Sequence, residues 1–465
     1  MRAFLKFLLA LVAALAVAAG GAWIWTGRQA GPAIDIRQPL EFVGQSTVLD
    51  LIVETPGGRF SRIDVTVEQD GRAFPSATFD QPADGDTAPA RAEQFYVMHP
   101  IGKEAIPDLR EGSARIVVRA ARPLLFGLRE AVSTATRDVQ VRLEPPRLAV
   151  LSSKHYVNQG GAEFVVYRAS PADVDSWVRV GDVSYPGFDA AGAGIPGDDT
   201  TRVAFFALLH DQDLQTPITI VARDAAGNEA STTLDRTAFP KSFAKSRITV
   251  SDGFLGRVVP PILAATPDLR VLSDPSDLVA AYVTINSDLR QTNGKTIAEQ
   301  ALKTSPTMLW AGAFQQLGHS QVESRFADRR TYVHEGRDID HQVHLGFDLA
   351  VTAQVPIAAA QSGTVLLARY LGIYGNCVIL DHGLGVQSLY GHLSSIDVAP
   401  GTRVQKGQVL GRSGMTGLAG GDHLHFTMLV GGQAVNPVEW WDPKWIQDRV
   451  LRKITEAGGT PPATP

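Results

Sequence analysis

The stretch that decides the fold of the C-terminal part of the chain is His423-Leu424-His425-Phe426-Thr427-Met428-Leu429-Val430. This largely apolar run predicts a β-strand, in which successive side chains point to opposite faces. His423 and His425 are two positions apart and are therefore expected on the same face. Of the 11 histidines in the chain, 8 lie between His319 and His425, a density that packing alone does not explain. A functional site is predicted on this strand.

Two further histidine motifs precede this strand. They are His344-Leu345-Gly346-Phe347-Asp348 and Tyr390-Gly391-His392-Leu393. His344 and Asp348 flank a glycine, which suits a tight passage from strand to loop that brings both donors to one point. Zinc is bound by nitrogen and oxygen donors in tetrahedral geometry, and a catalytic site leaves the fourth position to water. The motifs therefore predict a zinc site.

In this order, the motifs H-x-G-x-D, Y-x-H-L and H-L-H-F resemble those of the lysostaphin/LytM-type zinc metallopeptidases, which cut peptidoglycan peptides. The resemblance covers residues 310–442 and includes a stretch at residues 324–329 that is similar to the family's S-x-F-G-x-R motif. The sequence departs from the family at Ala327, where the family has glycine, and at residues 419–422. Both departures concern loops that line the cleft, so they bear on cleavage specificity and not on metal binding.

The resemblance implies a role for each residue in the motifs. The implied zinc ligands are His344, Asp348 and His425, and the implied unligated catalytic pair is His392 and His423. Two neutral imidazoles and one carboxylate leave a zinc centre with a net charge of about +1, which lowers the pKa of bound water toward about 7. Unligated histidines then serve the proton transfers and the oxyanion. The implied activity is that of a zinc metalloendopeptidase, which hydrolyses peptide cross-links of bacterial peptidoglycan by a metal-activated water.

Four further residues near the motifs have predicted roles or environments of their own. Tyr390 and Asn376 are expected substrate-binding residues, although Tyr390 also suits the core of its strand. His341 forms an H-x2-H pair with His344 and is the alternative ligand, but the spacing of the glycine and the aspartate favours His344. Cys377 is the single cysteine, so it cannot form an intramolecular disulfide, and its apolar surroundings predict a buried thiol.

Two other functions compete with hydrolysis. Residues 398–411 resemble the hammerhead strands of biotinyl or lipoyl carrier domains, but Lys406 lacks the flanking signature of a modified lysine. The second alternative is a catalytically silent peptidase-like module that binds the cell wall and activates a separate amidase. Because modules of that kind have lost ligands, the intact set of five residues favours an active enzyme.

The N-terminus predicts export. Arg2 and Lys6 precede an uncharged apolar run at residues 7–25, which is long enough as a helix to cross about 30 Å of hydrocarbon. The two basic residues favour a cytoplasmic N-terminus. The expected location is the inner membrane, single-pass, with the C-terminal part in the periplasm or cell envelope. Secretion after cleavage of a signal peptide at Ala16-Val17-Ala18 is the alternative.

The composition of the chain suits several exported domains. Its 465 residues predict about three domains, and 44% hydrophobic residues suffice for buried cores. The formal net charge of -5 argues against a nucleic-acid binder, which needs a basic excess. The expected partners are peptidoglycan, the membrane, and a cell-wall or division protein that docks on the β-sandwich domains.

Hydrophobic patterns divide the chain into segments and predict a mainly β architecture. Alternation such as that of Ile63, Val65 and Val67 predicts half-buried strands in two β-sandwiches, the second of which resembles bacterial immunoglobulin-like modules. Farther along, helical periodicity predicts a helix with Asp274 as its N-cap and Asn293-Gly294 at its end. The predicted segments are a transmembrane signal anchor (1–27), a β-sandwich (35–145), an immunoglobulin-like β-sandwich (146–238), a helical connector (239–308), an all-β zinc metallopeptidase domain (309–445), and a C-terminal helix with a flexible tail (446–465).

Overall fold

The computed structural model describes residues 2–55, 59–80, 94–269 and 277–461. The chain forms two compact units. The first comprises residues 1–146 together with 223–229, and the second comprises residues 147–222 together with 230–465. Strands account for 44% of the chain and helices for 21%, which confirms the predicted mainly β architecture.

The first unit contains an apolar helix and a β-sandwich. Its elements are α1 (Arg2–Thr26), β1 (Ala33–Gln38), β2 (Phe42–Val43), β3 (Val48–Glu54), β4 (Arg62–Gln69), β5 (Arg72–Asp80), β6 (Gln94–Pro100), β7 (Gly112–Leu124), a 3-10 turn (Leu125–Gly127) and β8 (Arg129–Val141). The sheets have the orders β1-β3-β6 and β2-β8-β7-β4-β5. Ile63, Val65 and Val67 of β4 are buried, as their alternation predicts. Residues Ala3–Thr26 are long and apolar enough to cross a membrane, which is consistent with an anchor or a signal sequence.

The second unit begins with another β-sandwich. Its elements are β9 (Arg147–Val150), β10 (Tyr156–Asn158), β11 (Gly161–Ser170), β12 (Asp175–Val180), β13 (Val183–Pro186), β14 (Phe188–Asp189), a 3-10 turn (Ala190–Ala193), β15 (Thr201–Leu208), β16 (Ile218–Arg223), β17 (Glu229–Thr233) and β18 (Thr237–Phe239). Two four-stranded sheets have the orders β14-β15-β11-β9 and β13-β12-β16-β17, and β10 pairs with β18.

The connector holds more helix than the sequence predicts. Its elements are β19 (Lys245–Thr249), α2 (Asp252–Ala265), α3 (Leu278–Thr284), a π-helical turn (Ile285–Leu289) and α4 (Arg290–Ala301). The predicted N-cap Asp274 lies outside the described residues, and Asp277 caps α3 by accepting from two backbone N–H groups. The predicted end at Asn293-Gly294 is wrong, because α4 continues to Ala301. Asn293 is buried within α4, where its Oδ1 accepts a hydrogen bond from the Ile373 N–H (3.0 Å).

The C-terminal domain is built on a large, mostly antiparallel sheet. Its strands are β20 (Gln321–Ser324), β21 (Asp328–His334), β22 (Arg337–His344), β23 (Phe347–Ala350), β24 (Pro356–Ala358), β25 (Gly363–Tyr370), β26 (Asn376–Gly383), β27 (Val386–Leu393), β28 (Ser395–Ile396), β29 (Arg403–Val404), β30 (Val409–Arg412), β31 (Leu424–Val430) and β32 (Gln433–Val435). A 3-10 turn (Gly372–Tyr374) precedes β26, and the closing helices are α5 (Pro437–Trp441), α6 (Pro443–Ile446), a π-helical turn (Gln447–Leu451) and α7 (Arg452–Glu456). The large sheet has the order β20-β23-β31-β27-β26-β25-β29, with β32 beside β31.

One hydrophobic core runs from the second sandwich into the C-terminal domain. The ring of Phe205 on β15 lies 6.3 Å from that of Trp310 and 5.7 Å from that of Trp440. At the end of the chain, the Thr460 N–H donates to the Gly194 carbonyl (2.9 Å), so the predicted tail is docked at least to Thr460. Residues 462–465 lie outside the described part. The sandwich and the C-terminal domain therefore share buried surface, and the boundaries drawn between them stay predictions.

Candidate metal centre

Three strands bring the predicted ligands together. His344 is the last residue of β22, Asp348 lies on β23 and His425 lies on β31. Strands β23 and β31 are antiparallel neighbours, and Asp348 stands directly opposite His425 in their register. Gly346 lies in the passage from β22 to β23, where an added Cβ would come within 2.6 Å of the His425 ring. The glycine of the H-x-G-x-D motif therefore leaves room for the histidine of the neighbouring strand.

The donor atoms of these three residues form a nearly equilateral triangle. His344 Nε2 lies 2.9 Å from Asp348 Oδ1 and 3.0 Å from His425 Nδ1, and the third side, between His425 Nδ1 and Asp348 Oδ1, is 3.0 Å. All three residues are buried. The arrangement is a His/Asp/His cluster that could hold a metal ion.

Hydrogen bonds on the far side of each ring set the tautomers. The Nδ1 of His344 lies 3.2 Å from the Arg325 carbonyl, which only accepts, so this nitrogen carries the proton. The Thr427 hydroxyl donates to the Leu345 carbonyl (2.9 Å) and is left to accept from His425 Nε2 (3.1 Å). His344 Nε2 and His425 Nδ1 consequently present lone pairs to each other and to the carboxylate.

Such a group of acceptors fits a bound cation. Without a proton or a metal ion between them, two lone pairs and a carboxylate oxygen at about 3 Å repel one another in a buried site. Tetrahedral zinc sites place their ligands at about 2.0–2.2 Å from the metal, so the ligand atoms lie about 3.4 Å apart. The triangle needs to widen by only a few tenths of an ångström to reach that geometry. Burial lowers the pKa of His425 to about 4, which keeps this imidazole neutral and able to bind metal.

Arg330 on β21 supports the carboxylate ligand. Its Nη2 donates to Asp348 Oδ2 (3.0 Å) and to the Ser324 hydroxyl (2.7 Å). Asp348 is therefore a carboxylate whose second oxygen is fixed by an arginine, while Oδ1 faces the histidines.

A β-bulge directs His392 toward the same cleft. The register between β26 and β27 pairs Asn376 with Leu393 but Val378 with Tyr390, so β27 carries one extra residue there. His392 lies in this bulge with a φ of 63°, in the left-handed region. A bulge of this kind re-aims a side chain that regular alternation would send elsewhere. The Nδ1 of His392 donates to the Thr416 carbonyl (2.8 Å), which leaves Nε2 as the accepting nitrogen.

His423 completes the group of five. Its Nδ1 donates to the Gly421 carbonyl (2.9 Å), so Nε2 carries the lone pair. That Nε2 lies 3.4 Å from Asp348 Oδ1, yet it is buried and has no hydrogen-bond partner among the residues that the structure describes. The rings of His423 and His392 are 4.8 Å apart. Both imidazoles lie outside the ligand triangle and direct Nδ1 to a backbone carbonyl, while Nε2 of His423 also approaches the Asp348 carboxylate.

The remaining predicted residues lie elsewhere. Tyr390 is on the opposite face of its strand, 1% exposed, with its ring against Phe426 and its hydroxyl accepting from the Ala360 N–H (2.8 Å). This position contradicts the expected substrate contact, because the side chain is enclosed in the core. Asn376 does not line the metal cleft; its backbone N–H donates to the Thr416 hydroxyl (2.9 Å), beside the carbonyl that holds His392. His341 is exposed, its Nδ1 lies 3.2 Å from the Thr331 hydroxyl, and it is not part of the triangle.

The cleft extends well beyond the histidine motifs. It encloses about 510 Å³, and the connector supplies part of its wall through Phe254, Tyr282, Asn286 and Arg290. No motif marks these four residues in the sequence, since they come from helical elements that meet the cleft only after folding. Arg330, which fixes Asp348, directly follows the stretch at residues 324–329 whose family resemblance is visible in the sequence. That proximity is the signal that points to it.

Known proteins share the C-terminal domain. Residues 342–437 match the sequence profile of Peptidase family M23, which confirms the resemblance carried by the motifs. The DD-carboxypeptidase/endopeptidase Mpg of Neisseria meningitidis is 40% identical over 97 residues, which are 21% of this chain and 22% of that protein. The peptidoglycan DD-endopeptidase ShyA of Vibrio cholerae is 34% identical over 119 residues, which are 26% of this chain and 27% of that protein.

A third relative has a different function in its name. The murein hydrolase activator EnvC of Escherichia coli is 37% identical over 95 residues, which are 20% of this chain and 23% of that protein. The chain therefore spans only about a quarter of the length of each of these three relatives. The family match begins at residue 342, so the connector helices that line the cleft lie outside it.

Proposed function

We propose that this protein is a zinc metalloendopeptidase that hydrolyses peptide cross-links of bacterial peptidoglycan. The observation that carries the proposal is the triangle of three acceptor atoms with two further imidazoles beside it. Three buried nitrogen and oxygen ligand atoms that face one another at about 3 Å make chemical sense around a cation, and this set of atoms suits zinc. The names of Mpg and ShyA supply the substrate class, because both are described as DD-endopeptidases and ShyA as one that acts on peptidoglycan.

The residues of the chain divide into two groups by role. His344 Nε2, Asp348 Oδ1 and His425 Nδ1 would hold the zinc ion. A zinc ion bound there supplies a Lewis acid and lowers the pKa of the attacking water. His423 Nε2 and His392 Nε2 carry free lone pairs and are the candidates to accept a proton from the nucleophile. Once protonated, either ring becomes a donor that can stabilise an oxyanion or return the proton to the leaving amine.

The alternative function is that of an activator. The likeness to EnvC favours a module that binds cell wall or a partner enzyme without cleaving a bond. The complete ligand triangle and the two free imidazole nitrogens argue for hydrolysis, because a silent module has no use for a buried group of unsatisfied acceptors. In either case we propose that α1 anchors the chain in the inner membrane or directs its export. The C-terminal domain then faces the periplasm or cell envelope.

The test is digestion of purified peptidoglycan by the full-length protein in detergent, with the released fragments identified by mass. We expect peptide-bond cleavage, loss of cleavage on chelation and recovery when zinc is added, with about one zinc per chain in the active protein. Undiminished digestion after exhaustive chelation would refute the metal mechanism. If no fragment is released but a purified cell-wall amidase is stimulated, the activator function is correct instead.

A further inference from the structure

The cleft contains an arginine, Arg290, that forms no ion pair with a carboxylate among the residues that the structure describes. Arg290, the first residue of α4, donates from Nε to the Asn286 carbonyl (2.9 Å) and from Nη2 to Asn286 Oδ1 (2.5 Å). Both partners are neutral. Asp348 and Glu323 are the acidic residues that line the cleft within the described part of the chain. Asp348 pairs with Arg330 (3.0 Å), and neither carboxylate forms an ion pair with Arg290 in that part of the chain.

The guanidinium of Arg290 is held in place before any ligand arrives. Asn286 is fully buried, and its Nδ2 donates to Asp340 Oδ2 (2.6 Å), so its amide oxygen is turned toward the arginine. On the same helical segment, Ile285 and Leu289 are buried in a cluster that also contains Ile373 of the C-terminal domain. The connector is therefore packed against this domain as a fixed wall. The guanidinium of Arg290 consequently loses little conformational entropy when it binds a ligand.

Arg290 lies in the same cleft as the candidate metal ligands. Helix α4, which begins at Arg290, packs against the 3-10 turn that carries Tyr374, and Asn293 Oδ1 of that helix accepts from the Ile373 N–H (3.0 Å). The Tyr374 ring lies 5.4 Å from the ring of the ligand His425. Arg290, Tyr374 and His425 all line this cleft.

We propose that Arg290 binds a free carboxylate of the peptide substrate close to the scissile bond. The chemical class is a peptide that carries an ionised carboxyl group near the bond to be cut, which a planar guanidinium recognises by charge-assisted hydrogen bonds. The inference rests on the proposed function, in that the cleft is taken to bind peptide. It assigns a specificity residue to the connector, outside the matched range of residues 342–437.

The experiment compares two forms of one peptide. Full-length protein in detergent is given a cross-linked peptidoglycan peptide with free carboxylates, or the same peptide with those groups converted to primary amides. We expect the unaltered protein to cleave the free form with a kcat/KM about 10- to 100-fold higher, mainly through KM. Arg290→Gln should abolish that preference by slowing only the free form, and Arg290→Lys should restore part of it. Arg452→Gln, which removes an exposed arginine from α7, is the matched control and should keep the full preference.

Each contrary result is informative. Equal cleavage of the two peptides by the unaltered protein would overturn the proposal without any variant. It would also fall if Arg290→Gln slowed both peptides equally, since that result indicates a purely structural wall, or if the preference survived the substitution. Binding of the two peptides to the chelated protein, measured by calorimetry, separates this inference from the proposed function. A binding preference of the chelated protein, combined with no hydrolysis by the zinc-loaded protein, would support the carboxylate site and refute the peptidase.

Discussion

Two buried polar clusters in the second unit differ in how their donors and acceptors are balanced. In the first, Lys453 Nζ donates to Glu163 Oε1 (2.8 Å) and to the Phe164 carbonyl (2.7 Å), with side-chain exposures of 2% and 0% for the lysine and the glutamate. The other oxygen of Glu163 accepts from the Tyr156 N–H (2.9 Å). In the second cluster, the hydrogen bonds on the far side of the His344 and His425 rings turn their remaining nitrogens toward each other and toward Asp348 Oδ1.

The difference separates a structural cluster from a functional one. Around Glu163 and Lys453 the charges and hydrogen bonds are satisfied by protein groups, so the pair needs no further partner and joins α7 to the second sandwich. Around His344, the rings form hydrogen bonds to carbonyl and hydroxyl groups on their far sides, which turn the remaining lone pairs toward one another. Protein atoms do not compensate these lone pairs. Burial alone therefore does not mark the site; unsatisfied acceptors do.

The largest expected effect follows from substitutions in the cluster of His344, Asp348 and His425. His344→Ala, Asp348→Ala and His425→Ala each remove one of three donors, so zinc content and activity should fall together. His392→Ala and His423→Ala leave the triangle intact, and these variants should retain zinc while turnover drops about 10²- to 10⁴-fold. The measurement is zinc per protein and peptidoglycan turnover for all five variants.

The five variants also check each other. If His423→Ala loses zinc while His425→Ala keeps it, the two histidines of the H-x-H pair have exchanged roles. If His392→Ala and His423→Ala both remain fully active, the proposed proton transfers are wrong.

The second-largest expected effect follows from breaking the ion pair between Glu163 and Lys453. Lys453→Met leaves Glu163 buried without its counter-charge, and we expect the free energy of unfolding of the second unit to fall by about 3–5 kcal/mol. The double variant Glu163→Gln with Lys453→Met removes both charges and should lose clearly less. Urea unfolding followed by tryptophan fluorescence measures both, and the folded fraction should still bind zinc. Equal losses in the single and the double variant would show that the unpaired charge is not the cause.

A smaller effect concerns Glu439 of α5, which lies where the second sandwich meets the C-terminal domain. Burial raises its pKa to about 7, against hydrogen bonds from Asn158 Nδ2 (2.6 Å) and the Ala162 N–H (2.8 Å). Because this pKa lies above the ordinary value of 4.5, the stabilisation is complete below pH 4.5 and is lost as the pH rises through about 7. The nearby charges of Glu163 and Lys241 act in opposite directions, the first raising and the second lowering the pKa.

The test of this pH dependence is a pair of substitutions. In the unaltered protein, we expect the free energy of unfolding to fall between about pH 5 and pH 8. In Glu439→Gln, that fall should be smaller by about 2–3 kcal/mol. Glu299→Gln changes an exposed glutamate on α4 and should leave that fall unchanged. A Glu439→Gln profile that runs parallel to the unaltered one would contradict the role of this carboxyl group.

Much of the fold and of the site follows from local patterns. The alternation of Ile63, Val65 and Val67 predicts a strand because side chains on one face of a sheet must be apolar to be buried. Helix α2 is missed for the opposite reason. Pro260 and Pro261 lie inside it and remove backbone donors, but its buried apolar face, which includes Val259 and Ile262, packs against the rest of the connector core and outweighs that cost.

The residue types, the order of the three motifs and the common face of His423 and His425 could be read from the sequence, because strand alternation is a local property. The folded chain sets which nitrogen of His344 and His392 accepts, since their partners, the carbonyls of Arg325 and Thr416, lie 19 and 24 residues away in the sequence. It also decided that His392 joins the cleft through a bulge while Tyr390, two residues earlier, is enclosed in the core. The placement of Arg290 in the same cleft as the candidate metal ligands depends on helix packing over long sequence separations, which no local pattern encodes.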